Sequence, residues 1–208
     1  MELKSITIKD NEEFLRMISK EVDIKNDKDL KKDIDILHKY CTLNDVMAMA
    51  AVQLGILKRI VYLKNTNLEL INKYQTNSET FDEKNYNEER ILINPVVKKK
   101  EGLTEYWEAC ASCLDFCGKV LRPYKLIVEY YDINGQKKEE IFVGFEATVL
   151  SHELDHLDGI LHIDKSLELK EITKEERKLL RQKEGYKIYY ENGNYEKLKE
   201  EYYERSKN

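Results

Sequence analysis

Three of the four histidines in the 208-residue chain lie in one short stretch, SHELDHLDGILHID, at residues 151–164. Two of them, His152 and His156, bracket Glu153 in the pattern H-E-x-x-H. On a helix, side chains four residues apart lie one above the other, so the two imidazoles can bind one metal ion. Glu153 follows His152 by about 100° around the helix, where it misses the metal but reaches a water molecule bound to it. The pattern predicts a hydrolytic site in which the metal lowers the pKa of water and the carboxylate transfers its proton.

The third metal ligand has two candidates, because a hydrolytic metal site usually has three protein ligands and one open position. With Gly159 and His162 the stretch reads H-E-x-x-H-x-x-G-x-x-H, the signature of one class of zinc endopeptidase. That class also needs a methionine-bearing turn downstream of the histidines. All four methionines lie upstream: Met1, Met17, Met47 and Met49. We therefore predict a structural role for His162 and keep the zinc endopeptidase as an alternative function.

The composition is that of a soluble globular protein, with 41% apolar and 36% charged residues. No apolar run approaches the roughly 20 residues of a membrane helix, and the N-terminus lacks the apolar stretch of a signal peptide. We expect a cytoplasmic protein without membrane contact. The net charge of −5 does not predict a nucleic-acid surface. The four cysteines of a cytoplasmic chain are more often metal ligands or catalytic groups than partners in disulfides.

Apolar periodicity predicts helices within residues 1–41 and a helix from about Glu146, with Gly159 at its C-terminal end. Strands are predicted for LKRIVYL, ILINPVVKK and LTEYWEACAS, and a hairpin is predicted where Asn134-Gly135 joins two β-rich runs. One face of the later helix carries Phe145, Val149, His152 and His156 at steps of four, three and four. The elements that must position the histidines are therefore one helix and several strands.

We predict two regions in the chain. Residues 1–165 form the catalytic domain, interrupted by a polar insertion at about 64–90. Residues 166–208 form a charged helical C-terminal extension, in which Thr173 and Glu176 make a capping box.

Three ordered blocks of the sequence resemble the peptide deformylases. VMAMAAVQ at residues 46–53 matches the family motif G-Φ-G-Φ-A-A-x-Q, EACAS at 108–112 matches E-G-C-L-S, and SHELDH at 151–156 matches Q-H-E-x-D-H. The flanking segments INP, GKVLRP and GILHID agree as well. The similarity covers roughly residues 43–165.

This resemblance implies an α+β fold, with antiparallel β-sheets wrapped around a central helix that bears H-E-x-x-H, and helices at both ends of the chain. It implies removal of the N-formyl group from formyl-methionine at the start of newly synthesised bacterial proteins, which releases formate. One divalent metal ion per chain is implied, Fe²⁺ natively, with Zn²⁺ or Ni²⁺ as substitutes. The partners are formylated nascent polypeptides, and ribosome contact through the C-terminal extension is a further expectation.

Carried over residue by residue, the resemblance gives each site residue a role. Glu153 becomes the general acid and base, while Gln53 and the backbone N–H of Ala111 stabilise the oxyanion. The metal ligands become Cys110, His152 and His156. The residues against the substrate become Met47, Ala48, Phe145 and Val149.

The sequence departs from the family pattern at Val46, Ala48, Ala109 and Ala111. Ala48 matters most, because glycine at this position lets the backbone approach the substrate and alanine tolerates positive φ poorly. The departures keep open a deformylase-like protein with altered substrate or lost turnover. A rival alignment makes Cys113 the sulfur ligand, but it requires a deletion of three residues before Arg122, so Cys110 is preferred.

Overall fold

A computed structural model describes residues 4–64 and 89–206 of the chain. Within them, eight strands form one sheet, and every strand pair is antiparallel. The strands are β1 (Ala48–Ala50), β2 (Ile60–Lys64), β3 (Glu89–Ala109), β4 (Phe116–Arg122), β5 (Lys125–Tyr131), β6 (Lys137–Val143), β7 (Glu168–Glu171) and β8 (Lys187–Asn194). The predicted polar insertion lies almost wholly outside the described residues.

The long strand β3 is the centre of the sheet and pairs with β2, β4, β5 and β8. It spans the two runs that the sequence predicts as separate strands. The join lies at Gly102, which has φ 72° and where the register against β8 shifts. A second irregularity lies inside the first run, where the register against β5 shifts between Ile93 and Val96 around Pro95. Proline is tolerated in a strand at such an irregularity, because no ladder hydrogen bond is required of it there.

Five helices accompany the sheet in the described residues: α1 (Ile8–Leu15), α2 (Leu30–Leu43), α3 (Phe145–Leu157), α4 (Lys174–Glu184) and α5 (Tyr195–Ser206). The helical region predicted near the N-terminus is thus two helices with a non-helical segment between them. The predicted hairpin is confirmed, with β5 and β6 in register and Gly135 at φ 72° in the turn. No described helix is long and apolar enough to cross a membrane.

The helix α3 lies at the centre of the fold and confirms the predicted α+β arrangement. Nine of its thirteen residues are buried, so it packs on more than one side. Leu150, Leu154 and Leu157 join a core with residues of β2, β5 and β6. The chain leaves the helix through Gly159 at φ 71°, and a Cβ there would lie 2.2 Å from the backbone oxygen of Arg16. Glycine is therefore required at this exit.

The C-terminal region adds strands to the helices that the sequence predicts. The capping box of Thr173 and Glu176 is present at the start of α4. In addition, β7 pairs with β4 and β8 pairs with β3. The charged, weakly apolar sequence of β8 does not show strand periodicity clearly, because six of its eight residues are exposed.

Glu105 on β3 fixes this region to the sheet. Its side chain is only 5% exposed. It accepts hydrogen bonds from Lys187 Nζ at 2.9 Å, Tyr189 Oη at 3.1 Å and Tyr202 Oη at 2.8 Å. Residues of β8 and α5 therefore converge on one buried carboxylate.

We expect Glu105→Gln to lower the free energy of unfolding by about 1–3 kcal/mol, because a charged acceptor with three donors is lost. Urea denaturation measures this. The control is Glu139→Gln, at an exposed position of β6, which should change stability by less than about 0.5 kcal/mol. Equal stability of both variants would contradict the anchoring role.

Candidate metal site

Three side chains from two distant parts of the chain bring metal-ligating atoms together. One donor atom each from Cys110, His152 and His156 lies within 4.8 Å of the other two. Cys110 Sγ lies 3.2 Å from His156 Nε2. His156 is fully buried and His152 is partly buried. A thiol and two imidazoles in this arrangement fit a divalent transition metal with one position open.

The turn after β3 positions the sulfur. Cys110 immediately follows the last residue of β3 and precedes a short 3₁₀ turn, Ala111–Cys113. The N–H of Cys113 donates to the carbonyl oxygen of Cys110 at 3.0 Å, which closes the turn. A hydrogen bond from the Cys113 side chain lowers the pKa of the Cys110 thiol, and the nearby imidazoles lower it further against the effect of burial. The thiolate is the form that binds metals.

A buried ion-pair network orients His152. Its Nδ1 lies 2.8 Å from Glu108 Oε2. Arg122 donates to both oxygens of the same carboxylate, from Nε at 2.7 Å and from Nη2 at 2.9 Å, and its Nη1 donates to Asp155. Burial would raise the pKa of Glu108, but Arg122 outweighs it and holds that pKa well below its ordinary value. With Nδ1 held by the carboxylate, Nε2 of His152 is directed towards a metal.

Glu153 supplies a buried carboxylate beside the donors. Its exposed fraction is 5%. Burial raises its pKa, while the two histidines of the motif oppose the rise. Its Oε2 has no hydrogen-bond partner among the described residues. A buried carboxylate oxygen without a partner is rare and costly unless it has another use, such as accepting a proton.

Gln53 reaches the donors from the 3₁₀ turn Ala51–Leu54 that follows β1. Its Oε1 accepts from the N–H of Ala50 at 3.1 Å, which fixes the amide orientation. Its Nε2 then donates to Ser112 Oγ at 3.0 Å and to Cys110 Sγ at 3.4 Å. The amide N–H₂ group is therefore directed at the sulfur.

These groups open onto a cavity of about 350 Å³. Its polar lining includes Glu153, Gln53, Cys110 and His152, and Tyr106 contributes an aromatic wall. The residues predicted to contact substrate also line it: Met47, Ala48, Phe145 and Val149, together with Ala111. His156 lies beneath this surface, fully buried. The structure thus brings every predicted site residue to one place.

Ala48 causes no backbone strain. It lies in β1, and the described non-glycine residues with positive φ are Asp45, Asn94 and Leu114. The methyl group therefore narrows the cavity wall without forcing the backbone into an unfavourable conformation.

Neither rival ligand belongs to the three-donor group found among the described residues. His162 is buried with its ring 5.6 Å from that of His152. Burial lowers its pKa to about 4. Cys113 is buried beside Leu15 and Leu161 in an apolar cluster, and its contact with Cys110 and burial raise the pKa of its thiol.

The motifs do not predict the ion-pair network that supports the metal ligands. Its members are Glu108, Arg122 and Asp155. Two signals exist in the sequence. Glu108 and Cys110 are two residues apart, so they share one face of a strand, and Asp155 is three residues after His152 on the helix. The place of Arg122 depends on the pairing of β3 with β4, which local patterns do not determine.

An antiparallel sheet around a helix, with a thiol, two imidazoles and a buried carboxylate at one cavity, defines a site of the metallohydrolase class. Residues 4–174 match the model of the family described as polypeptide deformylase. A peptide deformylase of Pelagibacter ubique is 34% identical over 84% of this chain and 95% of its own length.

Solved structures agree. A peptide deformylase from Ehrlichia chaffeensis superposes with a TM-score of 0.67 at 26% identity, covering 88% of this chain and 94% of that one. A class I type b peptide deformylase from Acinetobacter baumannii, solved bound to Met-Ala-Ser, gives 0.64 at 25% identity, covering 79% and 98%. The chain belongs to the polypeptide deformylase family, metalloenzymes whose function is to remove the N-formyl group from nascent peptides.

We expect Cys110→Ala to abolish stoichiometric metal binding, because two imidazoles alone do not complete the site. Elemental analysis of the purified protein measures bound metal. The matched controls are Cys113→Ala and His162→Asn, which should retain metal. Metal loss with His162→Asn and retention with Cys110→Ala would reverse the assignment.

We expect Glu108→Gln to weaken metal affinity by about 10- to 100-fold, because the group that orients His152 loses its charge. Competition with a chelator measures the dissociation constant. The control is Glu129→Gln, in a surface ion pair with Lys137. An unchanged affinity in both variants would show that Glu108 does not support the ligand.

Proposed function

We propose that this chain hydrolyses the N-formyl group of formyl-methionine on newly synthesised polypeptides and releases formate, with Cys110, His152 and His156 as metal ligands. The observation that supports this most strongly is the convergence of these donors beside the unpaired oxygen of Glu153. A divalent ion held there acts as a Lewis acid that polarises an amide carbonyl and lowers the pKa of water. We propose Fe²⁺ as the native ion and Zn²⁺ or Ni²⁺ as substitutes, since thiolate and imidazole ligands suit all three.

Glu153 transfers the proton in this proposal. Its free oxygen takes the proton of the attacking water, and the carboxyl group later delivers that proton to the leaving amine nitrogen. Burial supports the first step, because it raises the pKa of Glu153 and makes the carboxylate a better base.

Gln53 and the N–H of Ala111 stabilise the developing oxyanion. Gln53 Nε2 lies 3.4 Å from Cys110 Sγ and 3.0 Å from Ser112 Oγ, so its amide group is close enough to the metal ligands to donate to a substrate oxygen there. Ala111 belongs to the cavity wall. A positioned donor of this kind contributes about 3–4 kcal/mol to transition-state stabilisation.

The peptide binds along β1 and the apolar part of the cavity. In the described sheet, β1 is a terminal strand that pairs with β2, so its other edge can pair with an extended peptide. Met47, Phe145 and Val149 form an apolar wall for the methionine side chain. The relative bound to Met-Ala-Ser supports a methionyl peptide as the occupant.

The alternative of a binding protein without turnover is not favoured, because Ala48 has no positive φ and all proposed catalytic groups are in place. We propose the bacterial cytoplasm as the site of action, where formylated chains are made. Ribosome contact through residues 166–208 remains a prediction, supported by the exposed charged residues of α4.

The test is formate release from a formyl-Met tripeptide by anaerobically prepared ferrous protein. We expect turnover by the parent and a loss of about 10²- to 10⁴-fold in Glu153→Ala, because the proton carrier is removed. Glu168→Ala, at an exposed position, should match the parent. Absent release, or equal release by Glu153→Ala, would contradict the function.

A further inference from the structure

Arg181 of α4 lines the same cavity as the metal-site residues. It lies beyond residues 4–174, the part of the chain that matches the family model. The anchored C-terminal region therefore brings a cation to the wall of the substrate cavity.

Among the described residues, the contacts of Arg181 hold the Nε end of its guanidinium group and leave the two Nη groups without a hydrogen-bond partner. Its Nε donates to the carbonyl oxygen of Trp107 at 2.8 Å. The guanidinium carbon lies 5.0 Å from the centre of the Tyr106 ring. Stacking and one backbone hydrogen bond restrict the rotamer. Across residues 4–64 and 89–206, Arg181 forms no ion pair. The Glu108 carboxylate in the same cavity is hydrogen-bonded to Arg122 and His152 instead.

The position of Tyr106 relates Arg181 to the bound peptide. The ring of Tyr106 packs against Phe145 with centroids 5.2 Å apart, and Phe145 belongs to the proposed methionine pocket. Arg181 therefore lies one aromatic ring beyond that pocket. The side chain of the residue that follows methionine, or of the next residue, can therefore extend from the methionine pocket to the Arg181 guanidinium group.

Two more cations, Arg177 and Lys170, act with Arg181 on the buried thiol of Cys117. Arg177 is one helical turn before Arg181, and Lys170 lies opposite Cys117 in the pairing of β4 with β7. Burial raises the pKa of Cys117, and Arg181, Arg177 and Lys170 each oppose that rise. In the part of the chain that the structure describes, neither Arg177 nor Lys170 has a carboxylate partner. Glu108 acts on Cys117 in the opposite sense but more weakly than any of the three cations, so positive charge prevails there and favours a negatively charged ligand.

We propose that Arg181 is a specificity-determining residue that binds a substrate carboxylate, so that the protein prefers formyl-methionyl peptides with an acidic residue at the second or third position. This inference rests on the proposed deformylase function. The carboxylate accepts from the guanidinium Nη groups, a charge-assisted contact in the geometry that arginine favours.

The experiment compares C-terminally amidated peptides, formyl-Met-Asp-Ser-amide and formyl-Met-Asn-Ser-amide, which differ only in charge at position two. For the parent protein we expect kcat/KM to be about two- to fivefold higher with aspartate, a ratio that falls towards one in high salt. In Arg181→Gln the ratio should be close to one, and Arg181→Lys should retain part of it. Lys178→Gln, which removes one charge from an exposed position of the same helix, should keep the parent ratio.

The outcomes separate this inference from the deformylase function. Hydrolysis of both peptides with the same ratio in the parent and Arg181→Gln would overturn the role of Arg181 and leave the function intact. A preference only for the free-acid form of the Asn peptide over its amide would assign Arg181 to a terminal carboxylate and overturn the side-chain preference. Calorimetry with unformylated Met-Asp-Ser-amide and Met-Asn-Ser-amide measures the dissociation constants of the two peptides without turnover. Equal dissociation constants would also overturn the role of Arg181.

Discussion

The buried ion pair between Arg122 and Glu108 is the interaction on which the metal site depends. The side chains of Arg122 and Glu108 are 3% and 5% exposed, so neither charge is solvated by water. Removal of one partner from such a pair typically costs about 3–5 kcal/mol, because the other charge remains buried. The pair joins β3 to β4, and through His152 and Asp155 it joins both strands to α3. The strand that leads to the sulfur and the helix that carries the imidazoles are thereby held together by the same charges.

The C-terminal region contributes to the substrate cavity as well as to the sheet. Glu105 holds β8 and α5 against β3, and α4 lies between β7 and β8 in the chain. Tyr186 packs edge to face against both Tyr106 and Phe145. The sequence of the C-terminal region does not predict this contribution to the cavity. The residues that pack towards the cavity are separated along the chain by solvent-exposed charged residues.

The sequence predicts the catalytic and metal-binding residues of the site better than it predicts the residues that hold them in position. H-E-x-x-H on a helix, Gly159 at the helix exit and the Asn134-Gly135 hairpin are local patterns, and local geometry determines each of them. The continuity of β3 through Gly102 and the strands β7 and β8 depend on pairing between distant segments, which periodicity does not reveal. For the same reason the motifs name Cys110 and His152 but not the bridge between them, since the bridge exists only when β4 lies beside β3. Ala48 shows the converse: the sequence suggests strain, and the extended backbone of β1 removes it.

The central claim is that one sulfur and two imidazole nitrogens bind the same ion. X-ray absorption spectroscopy of the zinc-loaded protein measures this directly. The account predicts one sulfur at about 2.3 Å and nitrogen or oxygen ligands at about 2.0–2.1 Å, with the sulfur contribution lost in Cys110→Ala. A first coordination shell of nitrogen and oxygen alone in the parent protein would contradict it.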